Sequence, residues 1–326
     1  MLGTLWQALE NTGVGIGATV ALFVVLNRLG ELLPVRWEQR AQPYLFIGPA
    51  LVLVGVLLVW PTLQTIAYSF ANSDSTRWVG LGNYRALLVD GADGFHATLA
   101  NTLLWLAAVP VATVVLGLLV AALADRLRPR AAKAAKTVIF LPMAIGAVGV
   151  ATIWRLVFAP DPQLGLQNAV WHGLLGQAPV AWLQDQRLHL NTFELMIMML
   201  WGVIGFAMVL LSAAINGVPP ETVEAARIDG ATESQVFFLV VVPQIRTTLA
   251  TVFVTVLVST LKIFDIVYVT TNGNFDTNII GLEFFNQQNA YQNNGYAATI
   301  VVILLLAVAP VMAFQVRRFR DPGAVR

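Results

Sequence analysis

An all-α membrane protein is the fold class this sequence predicts, and three observations carry it. Hydrophobic residues fill 57% of the 326 positions and charged residues only 11%, less than half the roughly 25% charged share of soluble domains. Mean hydropathy is +0.72. The apolar residues also gather into runs of the length a bilayer demands, about 20 mostly apolar residues per helix. Seven such runs occur, over 12–33, 44–69, 98–124, 137–158, 193–215, 247–270 and 296–316.

The first run is interrupted by Asn27 and Arg28. Met1 to Val14 holds no Lys or Arg and no small-residue cleavage site follows, so it reads as a span rather than a signal peptide. The second carries Pro49 and Pro61, the third Pro110, the fourth Pro142, and the fifth Gly202 and Gly205. Membrane helices tolerate such residues because neighbouring helices satisfy the freed backbone groups. The sixth contains Lys262 and Asp265, and the seventh runs into Arg317 and Arg318. Met196, Met198, Met199 and Met208 on the fifth read as packing residues.

Basic residues set the direction. If the loop between the fifth and sixth runs is cytoplasmic, alternation makes the 28–43 and 125–136 loops and the C-terminus cytoplasmic too. Those four regions hold fourteen of the nineteen Lys and Arg residues. The positive-inside rule therefore expects the N-terminus outside and the C-terminus in the cytoplasm.

The expected outer loops are the longer ones. Residues 70–97 read as a loop with one short helix, and 159–192 as an amphipathic stretch whose Trp171 and Trp182 suit a membrane interface. Residues 271–295 hold ten Asn and Gln. That segment is either a solvated loop or a polar mouth that meets a hydroxyl-rich ligand or its carrier.

Several chemistries are excluded. Cys is absent, which removes disulfides, Cys-ligated metals and thiol catalysis. The three lysines, Lys133, Lys136 and Lys262, lie in no phosphate-cradling Gly-x-x-x-x-Gly-Lys loop. His96, His172 and His189 are too far apart in sequence to suggest a metal site, and no Gly-x-Ser-x-Gly nucleophile pattern is present. A net charge of +1 without a basic stripe gives no sign of nucleic-acid binding. No catalytic residue, metal site or cofactor is expected on this chain.

The polar gap over 217–246 is the most informative segment. Pro219 and Pro220 suit a helix start, and Glu221 and Glu224 place carboxylates at its positive end. Asp229-Gly230 ends that helix with a residue at ease in left-handed geometry. Thr232 and Gln235 then form a capping box opening a second, apolar helix that runs to Pro243. Two short helices at an angle read as either a docking surface or a plain interfacial re-entry.

Glu224-Ala225-Ala226, three residues, Gly230-Ala231, then Phe238 and Pro243 resemble the EAA loop of permease subunits of bacterial ABC importers. The preceding Val218-Pro219-Pro220-Glu221 and the run Arg227-Ile228-Asp229-Gly230-Ala231 resemble the carbohydrate branch, such as the maltose and glycerol-3-phosphate permeases. Leu261 to Asp265 with Val267 to Thr270, Pro142 to Trp154 with Asp161, Gly165 and Asn168, and Gly295 to Ala298 resemble further stretches of that family in the right order. Thr271-Asn272-Gly273-Asn274 departs from the branch's common Gly-Gly-Pro and looks closer to alpha-glucoside permeases.

The resemblance implies a six-helix permease core with an extra N-terminal helix. It divides the chain into residues 1–43, a permease domain over 44–316 with its coupling loop at 217–246, and a cytoplasmic tail at 317–326. Glu224, Ala225, Ala226, Asp229, Gly230, Ala231 and Pro243 would engage a cytoplasmic ATPase. The implied partners are a second homologous permease subunit, two ATPase subunits that hold the ATP and magnesium, and an extracytoplasmic solute-binding protein. The implied cargo is a sugar, moved by alternating access across the inner membrane.

Inside the membrane, Lys262 and Asp265 are three apart, so on a continuous helix they share a face with Tyr268 close by. They form either a structural ion pair or, with Tyr268, Trp201 and Asn216, a substrate path. A secondary transporter is the rival class, and would call for inverted repeats and broken helices at matching positions.

Overall fold

The structure is a computed structural model that describes residues 35–320 and four isolated earlier positions. The expected first span, 12–33, lies outside that range. The backbone groups into two units, Met1–Ala67 and Tyr68–Arg326. Helix α1, which lies in the first unit except for its last residue, runs from Val35 to Val54, passes through a wider π-helical turn at Gly55–Val59 and continues over Trp60–Tyr68. Its stretch from Phe46 to Tyr68 is long and apolar enough to cross a membrane.

The second unit is also built from helices, and among the described residues the only strand-like feature is one isolated bridge between Ala71 and Trp78. In order it holds α2 (Gly82–Leu88), α3 (Phe95–Ala124), α4 (Pro129–Phe140), α5 (Ala147–Val157), α6 (Leu166–Leu175) and α7 (Leu190–Asn216). After these come α8 (Pro220–Ile228), α9 (Glu233–Gln235), α10 (Arg246–Leu261), α11 (Asp265–Thr270), α12 (Ile280–Asn289) and α13 (Asn294–Arg320).

Helix α3 packs along α7 and α10, and α5 packs against α7 and α11. Trp105 of α3, Met198, Met208 and Leu211 of α7, Val252 of α10 and Ile266 of α11 meet in the main core. The methionines are buried packing residues, as the sequence suggests. In lipid no hydrophobic drive holds such helices together, so close packing and internal polar contacts must do it. Val111, Val115, Leu119 and Leu123, four residues apart along α3, are all exposed. A stripe of that kind suits lipid or a partner helix.

Two expected spans are not single helices. The 137–158 run breaks at Ile145 and Gly146, with Pro129–Ala144 and Ala147–Val157 bent by 103°. The 247–270 run breaks at Lys262–Phe264, between α10 and α11. Its approach is bent as well, by 70° between Glu233–Gln244 and Arg246–Leu261 just beyond Pro243. Two intact helices, Ala92–Ala124 and Arg187–Asn216, match the expected 98–124 and 193–215. The last run is one helix, apolar over Asn294–Pro310.

The amide-rich 271–295 segment is not simply solvated. Gln287 is 1% exposed and donates to Glu283 Oε1 at 2.8 Å and Asp93 Oδ2 at 3.0 Å. Asn278 donates to Glu283 Oε2 at 2.6 Å. Buried amides need such partners, and here they fasten α12 to the rest of the unit.

Candidate functional site

Two interruptions of the helices meet at one cavity. Gly146 has φ 80° and ψ 160°, a conformation only glycine adopts easily, and it lets the chain turn into α5. Across from it, α10 ends at Leu261, Phe264 takes φ −145° and ψ −53°, and α11 restarts at Asp265. Both breaks line a cavity of about 260 Å³ with Pro142, Met199, Lys262 and Asp265 among its walls. Irregular backbone at membrane depth is tolerated where it lines a cavity or is buried in protein, and broken helices bring backbone dipole ends to a ligand.

The break changes the expected geometry of Lys262 and Asp265. They do not sit on one continuous helix face, and no ion pair joins them among the described residues. Lys262 caps the end of α10 and Asp265 opens α11, so of the two readings the ion pair does not form, and two charges stand exposed at one cavity. Tyr268, one turn on, lies with its ring stacked on Phe264 at 4.9 Å and edge-on to Phe285 at 5.3 Å. Of the three rings only Phe264 lines the cavity, and it gives the two charges an aromatic neighbour backed by Tyr268 and Phe285.

Trp201 and Asn216 are elsewhere. Trp201 stands edge-on to Trp154 at 6.0 Å and packs against the core. Asn216 lies at the other end of α7, roughly 20 Å from the cavity-lining Gly202 by helical rise. There its Nδ2 reaches Asp125 Oδ2 at 3.4 Å. Ser212 Oγ donates to Asp125 at 2.9 Å, and Lys136 Nζ binds the same carboxylate, so the charges tie α3, α4 and α7 together.

Lys136→Met would leave the half-buried Asp125 carboxylate without its cation. Breaking a buried pair from one side costs about 3–5 kcal/mol, and partial exposure here reduces that to roughly 1–3 kcal/mol. Thermal unfolding in detergent should show a clear drop in Tm for Lys136→Met. The Asp125→Asn, Lys136→Met double variant should recover part of it. An unchanged Tm in the single variant would show the cluster to be ornamental.

The same end carries the 217–246 segment. Helix α8 closes with a Schellman pair, Gly230 N–H donating to Arg227 O and Ala231 N–H to Ala226 O, each at 3.0 Å. Gly230 sits at φ +83° as that motif requires. The capping box is complete: Gln235 N–H donates to Thr232 Oγ1, and Thr232 N–H donates to Gln235 Oε1 at 2.8 Å. The sequence did not disclose the clasp across the turn, where Arg227 Nε and Nη2 donate to Glu233 Oε1 and Oε2 at 2.8 and 3.1 Å. The Glu233 carboxylate in turn raises the Arg227 pKa, so the guanidinium stays charged. Glu221, Glu224, Ala225 and Asp229 are exposed on this module, as are Ile228 and Phe238. A rigid, solvent-facing bend with apolar and acidic side chains is what a protein partner can grip.

The opposite end of the bundle is knitted by loops. Asn168 Nδ2 donates to Ala159 O and Val180 O at 2.9 and 2.8 Å, and its Oδ1 accepts from Val180 N–H at 2.9 Å. Arg187 hydrogen-bonds Asp185 and holds its carboxyl at about 2, below the usual range. A lowered carboxylate pKa adds stability that is fully present above the ordinary carboxylate value and is lost as pH falls from there through the folded one, so this exposed clasp stays charged down to strongly acidic solution.

Known proteins share this architecture. The family of binding-protein-dependent transport system inner membrane components matches residues 113–318, which include both helix breaks and the 217–246 bend. The osmoprotective compounds uptake permease protein GgtC of Synechocystis sp. is 43% identical over 289 residues, covering 86% of this chain and 100% of that protein. The alpha-glucoside transport system permease protein AglF of Rhizobium meliloti is 40% identical over 288 residues, covering 87% and 84%. A chain in the crystal structure of a bacterial alginate ABC transporter, in complex with an alginate pentasaccharide-bound periplasmic protein, has the same fold. It superposes with a TM-score of 0.74 at 18% identity, over 89% of this chain and 98% of that one. With a family match across most of its length and relatives aligned nearly end to end, the chain belongs to the inner membrane components of binding-protein-dependent transport systems.

Proposed function

We propose that this chain is a permease subunit that moves a sugar, of the alpha-glucoside or oligosaccharide class, through an ATP-driven importer. The observation that carries this is the exposed, internally clamped bend over Pro220–Gln244 in a protein of a transport family. A membrane transporter with no phosphate-binding loop of its own takes its energy from elsewhere. In this reading the bend is the coupling segment. Glu224, Ala225, Ala226, Asp229, Gly230, Ala231 and Pro243 engage a cytoplasmic ATPase that holds ATP and magnesium. The small Ala faces let the ATPase approach closely, and Glu224 offers a carboxylate to an arginine across the interface.

The partners in this reading are a second homologous permease subunit, two ATPase subunits and an extracytoplasmic solute-binding protein. The subunit itself performs no catalysis. ATP-driven closure of the ATPases moves the bend, and the spans rock between inward-open and outward-open states. Lys262 and Asp265, on the wall of the cavity between the two helix breaks, and Tyr268, stacked on the cavity-lining Phe264, supply charge, hydrogen bonds and an aromatic face along the sugar's path. The sugar class is supported by relatives named for alpha-glucosides and diacetylchitobiose. Basic residues favour the bend and the C-terminus on the cytoplasmic side.

The chain contains no cysteine, so a single introduced one is the only thiol this subunit carries, read on the isolated subunit band. Glu221→Cys in intact cells is expected to resist a membrane-impermeant maleimide and to react once the membrane is opened. In the purified complex the same position should crosslink to a soluble ATPase subunit. Labelling from the outside, or an assembled complex in which this position crosslinks to no ATPase, would refute the coupling role.

A further inference from the structure

A second, larger cavity opens at the end of the bundle away from the coupling bend. It measures about 510 Å³ and is lined by Arg155, Gln184, Thr270, Asn272, Asn274 and Phe275, among others. Pockets for small ligands run about 300–1,000 Å³. This one falls within that range, whereas the 260 Å³ cavity at the helix breaks falls below it.

The walls are unusually fixed. Four of the five residues 272–276 occupy the left-handed region: Asn272 (φ 51°), Gly273 (φ 75°), Phe275 (φ 59°) and Asp276 (φ 60°). A bulky phenylalanine there is strained, and such strain persists only where the surroundings impose it. The imposing groups are two buried amides from different long helices. Asn191 of α7 donates to Phe275 O at 2.6 Å, and Asn101 of α3 donates to Asp276 O at 2.6 Å. The buried Thr271 and Thr277 hydroxyls hydrogen-bond each other at 2.6 Å and close the base of the loop.

The groups facing the cavity are left available. Arg155 is steadied by one bond, Nη1 to Val269 O at 3.1 Å, and keeps its other N–H donors. Asn274 donates to Thr271 O at 2.8 Å and keeps its acceptor oxygen. The exposed Gln184 and Asn272 side chains make no hydrogen bond among the described residues. Planar amides, a guanidinium and a partly exposed phenyl ring around a cavity whose 271–277 wall is fixed match one chemistry well: a pyranose, with hydroxyls at its rim and C–H groups on its face.

We propose that this cavity is an entry subsite that receives a pyranose ring of the solute before it reaches the helix breaks. Phe275 offers a face to the sugar, and Arg155, Gln184 and Asn272 bond its hydroxyls. The site rests on the sugar-import reading above. It also adds to that reading, because it assigns this subunit its own solute contacts at the end where cargo arrives.

The test uses the assembled, detergent-purified importer with Ala181→Cys, a small residue on the cavity wall, as reporter in a chain without other cysteines. Maltose, trehalose and sucrose are each titrated against maleimide labelling, without the binding protein. Protection by at least one of these sugars, with mannitol inert, is the expected result. Adding Gln184→Ala or Phe275→Ala should then raise the half-protecting concentration about three- to tenfold, the loss of one or two modest contacts. Labelling untouched by every sugar overturns the subsite. So does a parallel titration in which only added binding protein, and none of the sugars, protects, which would make the cavity a protein contact. Uptake of the same sugars by the wild-type importer in proteoliposomes is measured alongside. A subsite that fails while uptake proceeds leaves the transport reading standing, and absent uptake of all three counts against the sugar reading itself.

Discussion

Gly230→Val is expected to abolish solute uptake by the reconstituted importer while the complex still assembles and hydrolyses ATP at its basal rate. A β-carbon at this position meets nothing within 4 Å in this chain, so within the subunit the effect is conformational rather than steric. At φ +83° a β-branched residue costs roughly 1–3 kcal/mol, and the backbone relieves this by leaving the left-handed region. The two Schellman bonds from Gly230 and Ala231 to Arg227 and Ala226 then open, and the second helix points in a new direction. The Arg227–Glu233 clasp, exposed and solvent-screened, is too weak to hold the bend alone.

A shift of that size changes an equilibrium between two arrangements by about five- to 150-fold, so in the coupling proposed above the ATPase stroke no longer moves the spans. Gly230→Asn separates shape from mere substitution, because asparagine tolerates left-handed geometry. It should retain most of the uptake, and Val should retain almost none. Normal uptake and substrate-stimulated hydrolysis in Gly230→Val would remove the bend from the coupling path.

Features with a local cause were legible in the sequence. The proline start, the glycine stop and the Thr232–Gln235 capping box depend on residues within one turn of each other, and each is present. The Phe46–Tyr68, Ala92–Ala124 and Arg187–Asn216 helices follow from hydropathy summed over about 20 positions. The same summation hides chain direction. It counted Leu141 to Gly146 and Lys262 to Phe264 as interior positions of spans, although the chain turns at both.

Pro142 is a visible signal near the first break, but membrane helices contain proline too often for it to mark one, and the turn itself falls at Gly146. The second break has neither proline nor glycine, and tertiary packing decides it. Contacts distant in sequence were beyond reach altogether. Asp125 meets Ser212 across 87 positions, and Asn101 meets Asp276 across 175. For that reason Asn216 read as a path residue and belongs instead to a cluster that braces helix ends.

Gly205→Val should unfold the bundle locally, with a large loss of stability. A β-carbon built on Gly205 would stand 2.6 Å from Ile139 O and 2.7 Å from Phe140 Cα. Those are backbone atoms of α4, which cannot swing aside as a side-chain tip does. Helix α7 is pinched on its other flank too, where a β-carbon on Gly117 of α3 would lie 2.7 Å from Ala207 Cβ. Small residues at both crossings let three backbones approach closely, the main source of helix cohesion in lipid.

Overpacking a tight contact costs about 1–3 kcal/mol, occasionally more, and two methyl groups at Gly205 must drive α4 outward. Seven residues further along α7, that movement also pulls Lys136 from Asp125 and Ser212, so the two losses add. In detergent, Gly205→Val should show a Tm lowered by many degrees or fail to elute as a single species. Gly173→Ala, where a β-carbon meets nothing within 4 Å, should behave as wild type. Equal Tm values for Gly205→Val and the unaltered chain would mean that α4 does not lie against α7 at this crossing, and the bracing assigned to Lys136 would fall with it.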